Sequence, residues 1–543
     1  MRIPSWRFPL AALPLLQILS GLFSGLFSGL LEPSDVPSSR VTFQLTSDLA
    51  DCLERENSNI NITRPSDADY DERRLGANLR VDGFYPELIV NVQTVSDVQS
   101  GVQCASELDV EVVAMSGGHS YEGLSCTKGL LLRLDGFHAM LSYQVGAKEA
   151  GTRAAAEITV QSGTLLARLY GLVAENTRDE DSGMLILGGG TSAHVGTAGH
   201  VLCGGFGLFG RSLGLASDQV SAVEVVLANG ALVAANEVTN PDLFWALRGG
   251  CSSAYGIVTS LTFRLTRVPT LELTMIELPL IESSTRNVTQ TAQWWQGWAP
   301  IEAPPDCTMT MTFKKKGVYL KGICLLELDN TRGQVLPDLV EGLRGILTQN
   351  EIESGLWGGT FLDAALWMGG SENLTDMLAT TSLEPVSARH RFKGASLQAP
   401  QAVNESAFTT LATLVENDTL DSAQFKAYGG VLRVGDGLWW NANSPLRRGY
   451  VFDVHLKKHN NCKANCEAED EETVSSVLFA ENLLAPYMWS SVLAYPGYVD
   501  LSLTNPRESY FGHENARLLG ETQFLYDPNG VLRDRASSFL YFK

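Results

Sequence analysis

Basic residues are scarce in this chain relative to acidic ones. Its 543 residues include 40 Lys and Arg against 61 Asp and Glu, which gives a formal net charge of −21. Nucleic acids and anionic membrane surfaces attract positive charge, so this balance disfavours either of them as a partner. The composition favours an acidic globular enzyme that acts on small molecules.

Two phosphate-binding signatures are missing. The chain has no GxxxxGK[ST] loop, and it has no GxGxxG that opens a helix within a strand–helix–strand unit. These absences disfavour an NTPase and a nicotinamide-dependent enzyme of the usual kind.

Long apolar runs are confined to the N-terminus. Arg2 and Arg7 precede the apolar run Phe8–Leu31, and a polar stretch follows it. This layout predicts a secretory signal over residues 1–31, although the length of the run leaves a membrane-spanning signal-anchor open. We therefore expect a secreted protein that contacts no membrane unless this segment is uncleaved. Asn-X-Ser/Thr sequons, which agree with the secretory route, begin at Asn61, Asn287, Asn373, Asn404 and Asn417.

The nine cysteines allow four disulfides and leave one thiol over. Spacing alone does not determine their connectivity. Our pairing hypothesis joins Cys52 with Cys104, Cys307 with Cys324, and Cys462 with Cys466. The short spacing of the last pair alternatively suggests a metal site, but no second ligand pair accompanies it, so no metal site is predicted.

Residues 86–115 have the pattern strand, helix, strand. The segment Ser96–Gln99 resembles a capping box, and the apolar residues after it fall on one helical face. The glycine turn Ser116–Ser120 follows the second strand, at the end where open α/β units present their ligands. A histidine in such a turn is alternatively an ordinary solvated residue. Further along, Asn229-Gly230 predicts a hairpin.

The densest glycine cluster lies between Gly188 and Gly214. Glycine loses more conformational freedom on folding than other residues, so such a cluster favours a close approach of the backbone to a ligand. A solvated glycine-rich loop is the alternative. We interpret the cluster as a place where a flat cofactor lies along exposed backbone amides.

Several blocks carry a family resemblance. They are SGGHSYEGLS (116–125), VGTAGHVLCGGFGLFGRSLGLASDQV (195–220), PDLFWALRGG with YGIVTSLTFRL (241–265), YPGYVD (495–500) and YDPNGVL (526–532). Together they resemble the FAD-linked oxidoreductases of the berberine bridge enzyme-like family, which have an FAD-binding fold of the vanillyl-alcohol-oxidase type.

The resemblance implies an α+β fold in two parts. A two-part FAD-binding domain is expected over residues 40–268, and residues 483–543 are expected to return to it. Residues 269–482 are expected to form an inserted α+β substrate domain whose antiparallel sheet covers the flavin.

The resemblance also implies that FAD is joined covalently to His119. Many relatives carry a second, cysteinyl link where this chain has Ser192, so attachment through His119 alone is expected. Cys203 is expected to be an ordinary buried thiol. Val195 occupies a position where relatives that react with dioxygen tend to carry valine, which favours an oxidase. The predicted cofactor-binding residues are His119, Ser116, Gly117, Gly118, Ser120, Ser192, Val195, Gly196, Gly199, His200, Gly204, Gly205, Gly207 and Val258.

Oxidation of an alcohol, hemiacetal or amine by flavin needs a base that removes a proton while hydride passes to the flavin. The alternation of the run Tyr450–Lys457 puts Asp453, His455 and Lys457 on one face of a strand, which faces either the flavin or solvent.

The tail motif of the family carries tyrosines that reach the substrate, and we transfer that role to Tyr495 and Tyr498. Tyr498 is the predicted base. A phenol becomes a useful base only when a neighbour stabilises the phenolate, and Lys457 or His455 is the candidate neighbour. Asp453 and His455 are predicted to orient the base or the substrate.

The predicted function is a secreted FAD-linked oxidase. Its substrate is a small molecule, either a sugar or a natural product, and dioxygen is the expected acceptor. A dehydrogenase of the same fold with another acceptor remains open, as does a cyclase that keeps flavin without net oxidation. The tryptophans after residue 290 fit either substrate stacking or core packing.

Overall fold

The computed structural model of the protein describes residues 39–146, 154–176, 183–207, 209–281, 285–369, 371, 373–380, 389–432, 442, 451–487 and 494–532. The predicted signal segment 1–31 lies outside these residues. The chain divides into two compact units, residues 1–48 and 49–543. Everything below concerns the second unit, apart from the start of the first helix.

The described strands and helices alternate along the chain. The strands are β1 (Ile62–Thr63), β2 (Leu88–Asn91), β3 (Val112–Met115), β4 (Leu130–Arg133), β5 (Met140–Val145), β6 (Ala154–Gln161), β7 (Met184–Ile186), β8 (Val220–Val226), β9 (Leu232–Asn236), β10 (Ile257–Val268), β11 (Leu273–Ile281), β12 (Cys307–Lys314), β13 (Gly317–Cys324), β14 (Leu356–Gly359), β15 (Arg391–Ala399), β16 (Ser422–Ala427) and β17 (Phe452–Asn460). The α-helices are α1 (Ser39–Glu56), α2 (Tyr70–Arg74), α3 (Val95–Glu107), α4 (Leu166–Asn176), α5 (Thr197–Leu202), α6 (Gly210–Leu213), α7 (Pro241–Leu247), α8 (Thr285–Gly297), α9 (Leu328–Gln334), α10 (Leu336–Gly342), α11 (Gln349–Ser354), α12 (Phe361–Gly369), α13 (Leu374–Ala379), α14 (Glu405–Glu416), α15 (Glu467–Leu484) and α16 (Pro506–Tyr526).

A small sheet of the described strands β1, β2, β4 and β3 carries the first glycine turn. Strands β2, β4 and β3 run parallel, and β1 pairs antiparallel with β2. Helix α3 connects β2 to β3, so the predicted strand–helix–strand unit is confirmed. The predicted capping box at Ser96–Gln99 is wrong by two residues: Thr94 caps the helix, and its side chain and that of Asp97 bond each other's backbone amides. The helix therefore begins earlier, and Ser116–Ser120 still follows directly after β3.

A second sheet of described strands is antiparallel, in the order β5, β6, β10, β8 and β9, with β7 paired to β10. The predicted hairpin joins β8 and β9 in register, and Gly230 has a φ of 78° there, which glycine adopts without strain. Helix α4 and the glycine cluster pack on this sheet.

A third sheet is fully antiparallel among its described strands, in the order β14, β11, β13, β12, β16, β17 and β15. Its residues come from positions 273–460, which agrees with the antiparallel sheet expected in the second part of the chain. The described structure is thus α+β with the expected kind of sheet.

Two hydrophobic cores lie beside these sheets. One contains residues of the second sheet together with tail residues such as Tyr510, Phe511 and Leu519. The other packs one face of the third sheet against helices α8, α14 and α15. Burial of Tyr510 and Leu519 beside strands β6, β8 and β10 agrees with a tail that returns to the first part of the chain. The domain boundaries at 268 and 482 stay a prediction.

Four disulfides are present among the described residues, and Cys126 is a buried free thiol there. The pairs Cys52–Cys104, Cys307–Cys324 and Cys462–Cys466 agree with the pairing hypothesis. The expectation of a free thiol at Cys203 is wrong, because the turn after α5 brings this residue against Cys251, to which it is bonded. Within the part of the chain that the structure describes, no helix is long and apolar enough to cross a bilayer.

Candidate active site

A cavity of about 630 Å³ lies between the glycine segments and one face of the third sheet. This size is within the range of sites that hold a cofactor or a drug-sized ligand. The glycine turn Ser116–Ser120 and the start of helix α5 form one wall. Strands β12, β13, β15, β16 and β17 contribute the opposite wall through Thr310, Lys321, Phe392, Gln424, Lys426, His455, Lys457 and His459.

The two glycine motifs meet through their backbones. A Cβ atom placed on Gly117 would lie 2.2 Å from the amide nitrogen of Gly196, and one placed on Gly196 would lie 2.3 Å from the amide nitrogen of Gly117. Larger residues would therefore separate the segments. The Ser116 hydroxyl donates to the carbonyl of Ser162 at 2.8 Å, which fixes the same turn to the second sheet. The close contact explains why both motifs need glycine.

The His119 imidazole lines the cavity, and its Nε2 atom is buried without a hydrogen-bond partner. Burial lowers the pKa of this ring to about 4, and the charges of His194, Lys457 and Arg389 act in the same direction. His119 is therefore neutral at physiological pH. A neutral imidazole with an unused nitrogen is the form that can bond to an electrophilic carbon or accept a hydrogen bond.

Most predicted cofactor-binding residues surround this cavity. The lining includes Ser116, Gly117, Gly118, His119, Ser120, Ser192, Val195, Gly196, Gly199, His200, Gly207 and Val258. Gly204 and Gly205 are not among the described residues that line it. The Gly205 amide donates instead to the hydroxyl of Tyr495 at 2.8 Å, and the Gly204 amide donates to Val201 in the turn that ends α5. The position of these two glycines behind the wall contradicts a direct contact with cofactor.

His200 has a structural hydrogen bond within the wall. Its Nε2 atom accepts from the amide of Gly190 at 2.8 Å, so its proton lies on Nδ1. Burial lowers the pKa of His200 to about 4, which keeps the ring neutral. This bond ties α5 to the glycine run before it.

The predicted alternation of strand β17 is confirmed. Val454 and Leu456 face the hydrophobic core on one side of the sheet. His455 and Lys457 line the cavity on the other side. Asp453 is fully buried on that side, where its carboxylate accepts a hydrogen bond from Ser396. Of the two readings of this strand face, the cavity-facing one is therefore correct.

Tyr498 is paired with Lys426. The Lys426 ammonium donates a hydrogen bond to the Tyr498 hydroxyl and lies 3.7 Å from the Asp453 carboxylate. The prediction that Lys457 or His455 supplies this partner is wrong. His455 instead stacks on the phenol ring, and the Lys457 ammonium lies 4.1 Å from the centre of the Phe392 ring.

Sequence reasoning missed Lys426 because β16 carries no family motif. Its alternation was nevertheless a usable signal. Ala423, Phe425 and Ala427 are in the core, while Gln424 and Lys426 line the cavity. A lysine among cavity-facing positions of an otherwise apolar strand is costly to bury without a function or a partner.

Burial changes the proton affinities in this group. It lowers the pKa of Lys426 to about 8, against the opposing effect of Asp453. It raises the pKa of Asp453, and it raises that of Tyr498 well above the usual value. All three groups are thus driven toward their neutral forms, and a proton is readily redistributed among them.

The predicted catalytic residue Tyr495 has a different environment. Its hydroxyl accepts hydrogen bonds from the amides of Gly205 and Phe206, at 2.8 and 3.0 Å. Its own amide donates to the Ser396 hydroxyl at 2.9 Å. Tyr495 thus connects the glycine cluster, strand β15 and the turn that carries Tyr498.

Comparisons with known proteins agree with this arrangement. Residues 86–236 match a family model described as an FAD binding domain. Over 465 residues the chain is 34% identical to Berberine bridge enzyme-like 22 of Arabidopsis thaliana, which covers 82% of this chain and 81% of that protein. The chain belongs to the berberine bridge enzyme-like family.

Further members and neighbours support this membership. The chain is 34% identical over 257 residues to the Xylooligosaccharide oxidase of Thermothelomyces thermophilus, which covers 47% of this chain and 46% of that protein. The fold matches that of Physcomitrella patens BBE-like 1 with a TM-score of 0.74 at 23% identity, over 90% of this chain and 98% of the other. This berberine bridge enzyme-like protein is therefore an FAD-dependent oxidoreductase.

The residues present fit FAD. The cavity has a backbone wall in which Gly199 leaves open space where a side chain would stand. The amides of Ser116–Ser120 and the N-terminus of α5 are available for a diphosphate, as is common for glycine turns. The unpartnered Nε2 of His119 is a nucleophilic nitrogen on the same wall. Cofactor and sheet residues would then face each other across the cavity.

Proposed function

We propose that this protein is a secreted FAD-linked oxidase that removes hydride from an alcohol or hemiacetal carbon of a sugar. In this proposal the flavin is attached through His119 and dioxygen is the final acceptor. The observation that carries the proposal is the Lys426–Tyr498 pair, which lies on the cavity wall opposite His119.

The proposed reaction divides a two-electron oxidation between cofactor and protein. FAD, when bound, supplies the acceptor for the hydride that leaves the substrate carbon. The Tyr498 oxygen accepts the proton of the substrate hydroxyl, so that a carbonyl replaces the C–H and O–H bonds. Lys426 holds the phenolate form of Tyr498 by charge and hydrogen bond before this proton arrives.

Asp453 and His455 orient the base in this proposal. His455 covers one face of the phenol, and Asp453 limits the movement of the Lys426 ammonium. Tyr495 keeps the turn of Tyr498 against the glycine cluster through its two accepted hydrogen bonds. Its proposed role is therefore positional.

A sugar is the favoured substrate class. The cavity wall presents hydrogen-bonding side chains from Thr310 and Gln424. Lys321, also on this wall, packs over the ring of Trp367 at 3.9 Å, and Trp357 meets Trp367 edge-on. Aromatic faces beside polar groups suit sugar rings. The name of the Xylooligosaccharide oxidase relative supports this choice.

Covalent attachment at His119 rests on the neutral, unpartnered Nε2 atom. Reaction with dioxygen is supported by Val195, whose small side chain lines the cavity. Secretion is supported by the four disulfides of the described residues, because such bonds persist in oxidising compartments. The sequon residues Asn61, Asn373, Asn404 and Asn417 are exposed, as glycosylation requires.

One experiment tests the cofactor link. Acid precipitation of the purified protein should give a yellow pellet, whereas H119A should release its flavin into a yellow supernatant. H194A is the matched control, since this neighbouring histidine is not part of the cavity wall, and its pellet should stay yellow. A colourless wild-type pellet would reject covalent attachment.

A second experiment tests the reaction. Xylobiose, cellobiose and chitobiose, an aromatic alcohol and a cyclic tertiary amine are mixed anaerobically with the enzyme, and bleaching of the flavin is followed. We expect a disaccharide to bleach it, and admission of air to restore the colour with release of hydrogen peroxide. Bleaching by the amine alone would reject the sugar assignment, and bleaching without recovery in air would favour another acceptor.

A further inference from the structure

A buried ion cluster lies directly behind the aromatic wall of the cavity. The Lys393 ammonium bonds to Glu122 at 2.6 Å and also to Asp500. The three side chains are 3, 5 and 2% exposed. Arg80 bonds to the second oxygen of Glu122 at 2.7 Å. Each of the three central residues comes from a different segment: the loop after the glycine turn, strand β15, and the tail.

Each member of this cluster adjoins an aromatic residue of the cavity. Glu122 follows Tyr121, Lys393 follows Phe392, and Asp500 lies two residues after Tyr498. Tyr121, Phe392 and Tyr498 all line the cavity.

The three rings contact one another. Tyr121 meets Phe392 edge-on with ring centres 4.8 Å apart, and it stacks on Tyr498 at 5.4 Å. No described bond joins the Tyr121 hydroxyl to this group. The positions of the rings therefore depend on the backbone of the three segments, which the ion cluster joins.

Further bonds fix the same segments at the cluster. Arg80 also donates to the carbonyl of Tyr121 at 3.3 Å. The Asp500 amide donates to the hydroxyl of Tyr510 at 2.8 Å, and Ser502 donates to the Asp500 carboxylate from both its amide and its hydroxyl. A buried charged group without its partner is strongly unfavourable, so the cluster strongly favours a single arrangement of these segments.

We propose that Lys393, with Glu122 and Asp500, is a positioning residue of the oxidation: it holds Tyr121 and Tyr498 in the stacked arrangement that places the Tyr498 hydroxyl against Lys426. This inference rests on the proposed function, in which Tyr498 is the base. It adds a second set of residues that contact neither substrate nor cofactor in the described structure.

The chain offers a matched control on the same strand. Arg391 forms a bidentate ion pair with Asp470 at 2.5 and 3.0 Å, which joins β15 to helix α15. This pair also crosses between segments, yet neither carboxylate nor cation adjoins Tyr121 or Tyr498. D470N and R391M therefore remove an ion pair of β15 without touching the cluster.

The test compares D500N and K393M with D470N and R391M in anaerobic reduction by the disaccharide that bleaches wild type. D500N is isosteric, which keeps the comparison available if K393M fails to fold. We expect D500N to lower the limiting rate of reduction roughly 10- to 100-fold, the usual effect of a small misplacement of a reacting group. The substrate dissociation constant should change less than about threefold, because the base contributes to the transition state rather than to binding.

Non-additivity distinguishes positioning from general damage. In the Y498F background, D500N should cause no further loss of rate, because its effect passes through Tyr498. An equal loss in both backgrounds would overturn the proposal, as would a wild-type rate for D500N or an equal loss in D470N.

A crystal structure of D500N gives an answer that needs no substrate. We expect the Tyr498 ring to move from its position over His455 and the Lys426–Tyr498 hydrogen bond to break. Rings that superpose on wild type would overturn the proposal. If no panel compound reduces the wild-type flavin, the proposed function fails, while this structure still decides whether the cluster positions the tyrosines.

Discussion

The imidazole of His455 lies parallel to the phenol of Tyr498, with ring centres 4.0 Å apart and an angle of 3° between the planes. His455 has a pKa well below its ordinary value because of burial and the nearby charges of Lys426 and Lys457. A neutral ring in this position fixes the phenol without competing for the charge of Lys426. The stack therefore leaves the Tyr498 oxygen available as a proton acceptor.

Replacement of Tyr498 by Phe tests the assignment of the base. Y498F keeps the ring and its stacking but removes the proton-accepting oxygen. We expect the flavin to remain bound and its reduction by substrate to slow by at least roughly a hundredfold, the usual size of a general-base contribution. Stopped-flow measurement of anaerobic bleaching checks this, with Y428F as the control tyrosine on the same side of the sheet. Unchanged reduction kinetics would reject Tyr498 as the base.

The Lys426–Tyr498 pair should also set the pH dependence of reduction. The two groups titrate together, and burial lowers the pKa of Lys426 to about 8 while it raises that of Tyr498. The form with a phenolate and an ammonium carries one proton fewer than the fully protonated pair. The limiting rate should thus rise with pH and level off near pH 8.

K426M should move this rise to higher pH, because the buried phenol must then ionise without a cation. At pH 7 we expect a loss of roughly tenfold or more, about 1.4 kcal/mol of barrier. K458M is the control, since Lys458 pairs with Asp421 rather than with the base. A pH profile identical to wild type in K426M would exclude the pairing as the source of the phenolate.

The motifs predicted the cavity well but its far wall less completely. Short-range signals found the glycine turn, the strand of Asp453 and His455, and the tail with Tyr498, since each depends on neighbouring residues in the chain. Lys426 and the Cys203–Cys251 bond escaped because both depend on contacts between distant segments. A spacing pattern has no information on which strand becomes the neighbour of another. Tyr495 was placed near the substrate by its motif, whereas its hydroxyl accepts two backbone amides.

Val195 tests the reaction with dioxygen. V195L adds bulk to the cavity wall beside the proposed flavin site. We expect anaerobic reduction to continue near the wild-type rate while reoxidation by air slows by roughly tenfold or more, which corresponds to about 1.4 kcal/mol. V258L enlarges another cavity-lining valine and serves as the control. Equal reoxidation rates in V195L and wild type would show that this position does not control access of dioxygen.

The Cys203–Cys251 bond should contribute more to stability than the Cys462–Cys466 bond. Their sequence separations are 48 and 4 residues. The chain-entropy model gives about 4 kcal/mol for the longer loop and about 2 kcal/mol for the shorter one. C203S/C251S should therefore have a lower urea midpoint than C462S/C466S. Equal midpoints would show that the loss of Cys203–Cys251 is compensated elsewhere in the cavity wall.

Glu481 of helix α15 should make stability fall as pH rises. Burial raises its pKa to about 8, the nearby Asp500 carboxylate adds to this, and Lys393 opposes it. The folded protein thus binds this proton more tightly than the unfolded chain, whose Glu titrates near pH 4.5. The stabilisation is complete below pH 4.5 and is lost as pH rises from there through 8. E481Q cannot ionise, so its advantage over wild type should grow to roughly 3 kcal/mol by pH 8, after a reduction for partial exposure.

Urea unfolding at pH 5 and pH 8 measures this difference. E472Q, at an exposed position of the same helix, should follow wild type at both values, because a solvated carboxylate changes its proton affinity little on folding. An E481Q advantage of equal size at pH 5 and pH 8 would contradict the prediction. It would mean that Glu481 reaches water in the folded protein, and that the Lys393 cluster beside it is more open than its bonds indicate.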